Sequence, residues 1–150
     1  MFKYEIKNAD ALKLKLSGIS RDIDTEIRLE LNRLGIEIQT YIRQSMKDSP
    51  PDPSKRYKRQ KKKGIYHNPS FPFNYPRIDS GNLVKNITYH TYYRKLEVGD
   101  LKKTPYAIYL EEGTFKMQPR PFIEPTWKHY EKIIQTRVDT LVDKVLKRWD

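Results

Sequence analysis

The side chains able to do chemistry are few and scattered. His67, His90 and His129 are the only histidines, and there is no cysteine. The sequence places them on a loop, a strand and a helix, without HExxH or similar ligand spacing, so no zinc site is expected. Each reads as an ordinary surface or half-buried histidine. Glu111-Glu112 is the only adjacent pair of glutamates. A metal-dependent nuclease needs carboxylates converging on one point, and neighbours on a helix or strand diverge. The plain reading is one inward-facing acid paired with Arg or Lys and one solvated acid. The chain's six glycines form neither GxxxxGK[ST] nor GxGxxG, so a phosphate cradle is absent. No catalytic residue, metal or cofactor is expected.

The clearest electrostatic feature is SKRYKRQKKK. It carries Lys55, Arg56, Lys58, Arg59, Lys61, Lys62 and Lys63 with no acid between them. Seven of the net eleven positive charges therefore sit in one short run, and the rest of the chain is only mildly basic. Such a run suits an acidic partner, either nucleic acid or an acidic protein surface. It could lie along phosphates with Tyr57 or Tyr66 stacking on bases, or it could be merely a solvated loop. Nothing resembles a base-reading module, so contact with DNA would be non-specific.

The elements that position these residues follow from patterning. With 150 residues, 37% hydrophobic and 33% charged, the chain is expected to be one soluble domain, 1–150. No apolar run approaches the roughly 20 residues of a membrane span, and no signal peptide is expected at Met1–Asp10. Phe2, Tyr4 and Ile6 alternate as in a strand. Asp10 then caps a short helix through Leu16, or Leu12, Leu14 and Leu16 form a second strand; Gly18 closes the segment either way. Residues 20–47 predict an amphipathic helix capped by Ser20. Its stripe is Ile23, Ile27, Leu31, Leu34, Ile38, Tyr41 and Met46, interrupted by Gly35 and ended at Ser49-Pro50-Pro51.

A long basic, Pro-rich loop is expected at 49–79, with Tyr66, Phe71, Phe73 and Tyr75 docking part of it. Ser80-Gly81-Asn82 starts a short turn or helix. A hairpin pairs Ile87–Tyr93 with Leu96–Val98 around a weak Arg94-Lys95 turn. Tyr106–Glu112 predicts a short helix with Gly113 as its C-cap. Residues 125–149 predict the strongest helix, with Trp127, Tyr130, Ile134, Val138, Leu141, Val145 and Trp149 on one face. The fold class is α+β: two long helices packed on a small antiparallel β-sheet, with the long basic loop.

Two segments carry a resemblance. Ser80-Gly81-Asn82-Leu83-Val84-Lys85-Asn86-Ile87, preceded by Arg77, resembles the Thr-Gly-x-Leu-x-x-Ser-Ile stretch of the tail-completion, or head–tail joining, proteins of long-tailed phages. Tyr106-Ala107 through Glu111, Gly113 and Thr114, then Met117 and Arg120-Pro121-Phe122 to Pro125, resembles that family's Y-A-x-x-x-E-x-G-T … M-x-x-R-P-F-x-x-P. The likeness covers about residues 20–149. Ser80 replaces the usual Thr, Asn86 a common Ser, and the 50–76 loop is longer and more basic than usual.

The resemblance implies a non-catalytic virion protein of the neck, assembled in the host cytoplasm and away from membranes. It implies a homo-oligomeric ring, of six copies, between neck or adaptor proteins and the tail terminator or tail tube. Subunit or partner contacts would fall on Arg77, Ser80, Gly81, Leu83, Tyr106, Glu111, Gly113, Thr114, Arg120, Pro121 and Phe122. The basic run would face DNA in the lumen or an acidic patch on the next ring. Read singly, these residues also have structural explanations: Gly81 and Gly113 supply positive φ, and Phe122 is core.

Overall fold

The computed structural model describes residues 9–58, 66–100 and 104–149. The expected strand at Phe2, Tyr4 and Ile6 lies outside them. The described chain is mixed helix and strand, as an α+β reading requires.

The first helix, α1 (Ala9–Asp48), is longer than its pattern suggested. It runs unbroken through Gly18 and Ser20, so Gly18 closes nothing, Ser20 is no cap, and Leu14 and Leu16 are exposed helical residues rather than strand. The reason is tertiary. A Cβ at Gly18 would overlap the indole of Trp149, whose Nε1–H donates to Asp22 Oδ2 at 3.0 Å. Gly35 likewise lies against the ring of Tyr89. Both glycines are places where an aromatic ring meets helix backbone, and neighbouring packing offsets their poor propensity. Buried Leu34, Ile38, Ile42 and Met46 recur every fourth residue. Ile42 is more deeply buried than Tyr41, which the sequence pattern had favoured. The helix stops before Pro50, as expected.

After a short α2 (Asn82–Asn86), strands β3 (Ile87–Tyr92) and β4 (Lys95–Asp100) pair antiparallel, with Ile87 opposite Asp100 and Tyr92 opposite Lys95. The turn is Tyr93-Arg94, one residue earlier than expected, with Arg94 at φ 53°. Asp24 of α1 clasps it: Arg94 Nε donates to Oδ1 at 2.7 Å and the Tyr93 hydroxyl to Oδ2 at 2.9 Å. A tertiary clasp thus supports a turn whose own residues signal weakly.

Upstream, β1 (Tyr57–Lys58) and β2 (Tyr66–His67) form a minimal antiparallel pair. The expected basic loop at 49–79 falls partly outside the described residues. Those on either side are tied down, with Pro51 bridged to Ser70 and the Asp52 N–H donating to the Pro69 carbonyl at 2.7 Å.

The chain continues into α3 (Ala107–Glu112) and α4 (Glu124–Leu146). Helix α1 packs on both strands of the β3–β4 hairpin and on α4. Arg137 of α4 reaches Glu30 and Glu37 of α1, at 3.3 and 2.9 Å. The core gathers the α1 residues with Leu83, Ile87, Phe122 and Tyr130. Trp127, expected on the packed face of α4, is instead mostly exposed at the helix's first turn.

Candidate functional site

The segments that drew attention in sequence, 77–83 and 106–122, are separated by the hairpin, and the fold brings them together. Gly81 sits at φ 81° before α2, and its carbonyl receives the Lys85 N–H at 3.0 Å. That left-handed conformation suits glycine. It lets α2 begin so that Leu83 drops into the core. Gly113, at φ 80°, ends α3 with its N–H on the Tyr109 carbonyl at 3.0 Å. A Cβ there would lie 2.9 Å from the Met117 carbonyl oxygen. Chain reversal follows at once: the Thr114 N–H donates to Met117 O at 2.8 Å and the Met117 N–H to Thr114 O at 3.1 Å. Phe115, at the tip, is fully exposed.

Glu111 turns inward, as one acid of the pair was expected to, but its partners are backbone amides rather than Arg or Lys. Its carboxylate accepts the N–H of Phe122 at 2.8 Å, of Ile123 at 3.1 Å and of Glu124 at 2.9 Å. The amides of Ile123, the N-cap of α4, and of Glu124, its first residue, have no helical partners, and Phe122 just precedes them. An anion at that end also opposes the helix dipole. Glu112 stays in solvent.

Arg120 is only 3% exposed. Its Nε donates to the Ser70 carbonyl at 2.9 Å and its Nη1 to the Gln118 carbonyl at 3.3 Å. Arg77 does a similar job from outside, donating from Nη1 to the Asn68 carbonyl at 3.2 Å. The two guanidiniums fasten the segment after β2. Nearby Asp52 accepts the Ser54 hydroxyl at 2.6 Å, a bond that holds its carboxyl below the usual carboxylate range. Phe73, at φ 63°, donates its N–H to the Pro119 carbonyl at 2.8 Å and turns its ring outward. Tyr75 is half-buried, and that burial pushes its hydroxyl up to about 12. The Thr126 hydroxyl donates to the Phe122 carbonyl at 2.6 Å, leaving Tyr75 as donor in its 3.0 Å bond to Thr126.

Between the segments lies a cavity of about 290 Å³. Arg77, Ser80, Gly81 and Leu83 line one side, Tyr106, Leu110, Met117 and Arg120 the other, and Met46 of α1 adds an apolar wall. Glu111, Gly113, Thr114, Pro121 and Phe122 stand outside the lining. Phe122 is core, Pro121 half-buried, and Thr114 exposed in the turn. Outside the lining, Ile108, Tyr109, Phe115 and Phe73 are exposed. Sequence reasoning singled out Glu111 and Arg120 but overlooked Phe115, which carries no pattern of its own.

Of the basic run, Lys55 and Arg56 are exposed, and the Arg56 guanidinium lies 4.0 Å over the Tyr66 ring. Lys58 belongs to β1; Arg59, Lys61, Lys62 and Lys63 lie outside the described residues. The histidines stay apart. His129 stacks on Tyr41 with ring centroids 4.7 Å apart, His67 Nδ1 lies 3.8 Å from Asp79, and His90 is exposed on β3. Among the described residues no three of His, Asp and Glu converge as a metal-holding group. Compared with known proteins, the chain matches no family model, no curated sequence and no solved structure.

Proposed function

We propose that this chain is a structural virion protein of the head–tail junction of a long-tailed phage, a tail-completion or neck subunit that assembles as a ring. The observation that carries this reading is how the two resembling segments are used. Their charged residues, Glu111 and Arg120, are taken up by backbone groups that organise α4 and the segment after β2. Beside them the same segments present apolar side chains to solvent at Ile108, Tyr109 and Phe115. Exposed apolar side chains on such segments suit a docking role. Here it would meet sibling subunits and the neighbouring rings, with no reaction carried out. Six copies, the adaptor and the tail terminator or tube as neighbours, and a place in the virion all belong to this proposal.

Interrupting the gene in the phage and imaging the lysate tests it. Tailless, DNA-filled heads are the expected product. Normal infectious particles lacking the chain, or a lone monomer with measurable turnover, would overturn the reading.

A second reading, a basic nucleic-acid-binding module, is favoured by the charge run and the Arg56–Tyr66 stack at its base. It predicts DNA affinity that falls steeply with salt. Replacing the bases of 55–63 by Ser would abolish that affinity and leave particle assembly intact. Under the virion reading the run meets lumenal DNA or an acidic patch on the next ring, and its loss impairs assembly.

A further inference from the structure

We infer that the cavity between residues 77–83 and 106–120 binds a small carboxylic acid with a one-ring or short-chain apolar body, its carboxylate held by Arg77 and Arg120. The site goes beyond the ring reading and does not depend on it. Arg33, Arg94, Arg137 and Arg148 each have a carboxylate partner. Among the described residues Arg77 and Arg120 have none, and both line the cavity. Arg120 is 3% exposed, yet it bonds only two carbonyl oxygens, from Nε and Nη1, and its Nη2 makes no hydrogen bond. Asp52 feels the Arg120 charge but gives its Oδ1 to Ser54. Ser70, on the same lining and fully buried, has an Oγ with no partner. Buried cations and hydroxyls in folded chains are normally paired, so this wall has unused capacity for an anion.

The lining sets the charge and the shape of the guest. Two arginines stand against one acid, Asp79, which lies 3.8 Å from His67 Nδ1. With His67 uncharged the excess is a single positive charge, which suits a monoanion better than a phosphate ester. A carboxylate is planar and accepts paired N–H bonds from guanidinium groups. The rest of the wall is apolar, with Leu83, Val84, Leu110 and the thioethers of Met46 and Met117. A bare inorganic ion would leave that surface uncovered. Methionine adapts its shape and contacts aromatic rings favourably. The volume is about 290 Å³. An apolar cavity of about 150 Å³ holds benzene, so one ring with its carboxylate fits and a nucleotide does not.

A mostly apolar pocket with a few convergent polar groups is the usual form of a small-molecule site. Here the polar groups come from one side of the hairpin and the apolar walls from both, so a bound acid would tie the two segments together and stabilise the fold. The requirement for an apolar body also separates this site from general attraction. A chain of net charge +11 draws any anion to its surface, whatever the anion's shape. Only the cavity distinguishes an apolar acid from phosphate.

Sodium benzoate, sodium hexanoate, benzyl alcohol and inorganic phosphate are titrated into the full-length chain at constant ionic strength, with binding read by calorimetry and by methyl NMR shifts. The expected result is one benzoate or hexanoate per chain, with shifts at the methyls of Met46, Leu83, Leu110 and Met117. Benzyl alcohol, which keeps the ring but not the charge, should bind at least tenfold more weakly. Phosphate should leave those methyls unmoved. Arg77→Gln removes a half-buried guanidinium with one backbone bond and should weaken benzoate by at least tenfold. Ser80→Trp, at an exposed position on the cavity's rim, should block entry without touching the core. Lys128→Gln, exposed on α4, should change nothing. No saturation by either acid at about 10 mM overturns the inference. So does phosphate or benzyl alcohol matching benzoate, or an affinity unchanged in both folded Arg77→Gln and Ser80→Trp.

Discussion

The Glu111 carboxylate lies 2.8 Å from the backbone nitrogen of Phe122 and so ties the last turn of α3 to the entry of α4. Two residues of one sequence motif, eleven positions apart, meet as acceptor and donor. The acid that looked most like chemistry holds a helix in place.

That relationship sets the first expected outcome. Glu111→Ala removes the acceptor of three amides and should destabilise the fold by about 2 kcal/mol, the upper range for loss of a cap. Glu111→Gln keeps one carbonyl acceptor and should cost roughly half as much. Urea unfolding midpoints check the ranking. A Gln variant as unstable as the Ala variant would show that charge, not hydrogen bonding, carries the cap.

Gly35 and Gly18 should respond differently to alanine, although both lie within α1. At Gly35 the new methyl meets the Tyr89 ring, which sits on a paired strand with little room to move. Overpacking there should cost about 1–3 kcal/mol, against roughly 1 kcal/mol gained in helix propensity. At Gly18 the obstacle is the indole of Trp149, beyond the end of α4, which can swing aside. Gly18→Ala should be near neutral in thermal melts.

Arg120→Ala should be among the most damaging substitutions, at about 3 kcal/mol, because a buried guanidinium and its carbonyl partners lose each other together. Amide exchange should quicken first at 66–76, the segment Arg120 fastens. Uniform protection after the substitution would show that the segment is held otherwise.

Stability should bend at both ends of the pH scale. Burial raises the Tyr75 hydroxyl to about 12. The stabilisation tied to its neutral form is fully present below the ordinary value of about 10 and is lost as pH rises to about 12. Tyr75→Phe should flatten that alkaline loss; Tyr130, also raised by burial, keeps part of it. At the acid end Asp24 is held low by its hydrogen bond from Arg94, and Asp52 by that from Ser54. Their contribution is present above about 3.9 and is lost as pH falls through their lower folded values. Unfolding monitored from pH 2 to 12 reads both arms.

The sequence by itself determined the repetitive parts. The periodicity of Leu34, Ile38 and Met46 marked α1, that of Tyr130, Leu141 and Val145 marked α4, and the β-branched run at 87–92 marked the hairpin. Gly81 and Gly113 announced the turns they make. Such features are legible because each residue's neighbours in the chain are also its neighbours in space. The tertiary structure alone decided what lies between distant positions. It carried α1 through Gly18 by placing Trp149 there, moved the hairpin turn to Tyr93-Arg94 through Asp24, and aimed Glu111 at amides rather than at a cation. It also joined residues 77–83 to 106–120 around one cavity and left Phe115 outside it. The physical reason is common to all of these. A side chain's partner is set by how elements pack, and periodicity records which face is buried but not what it is buried against.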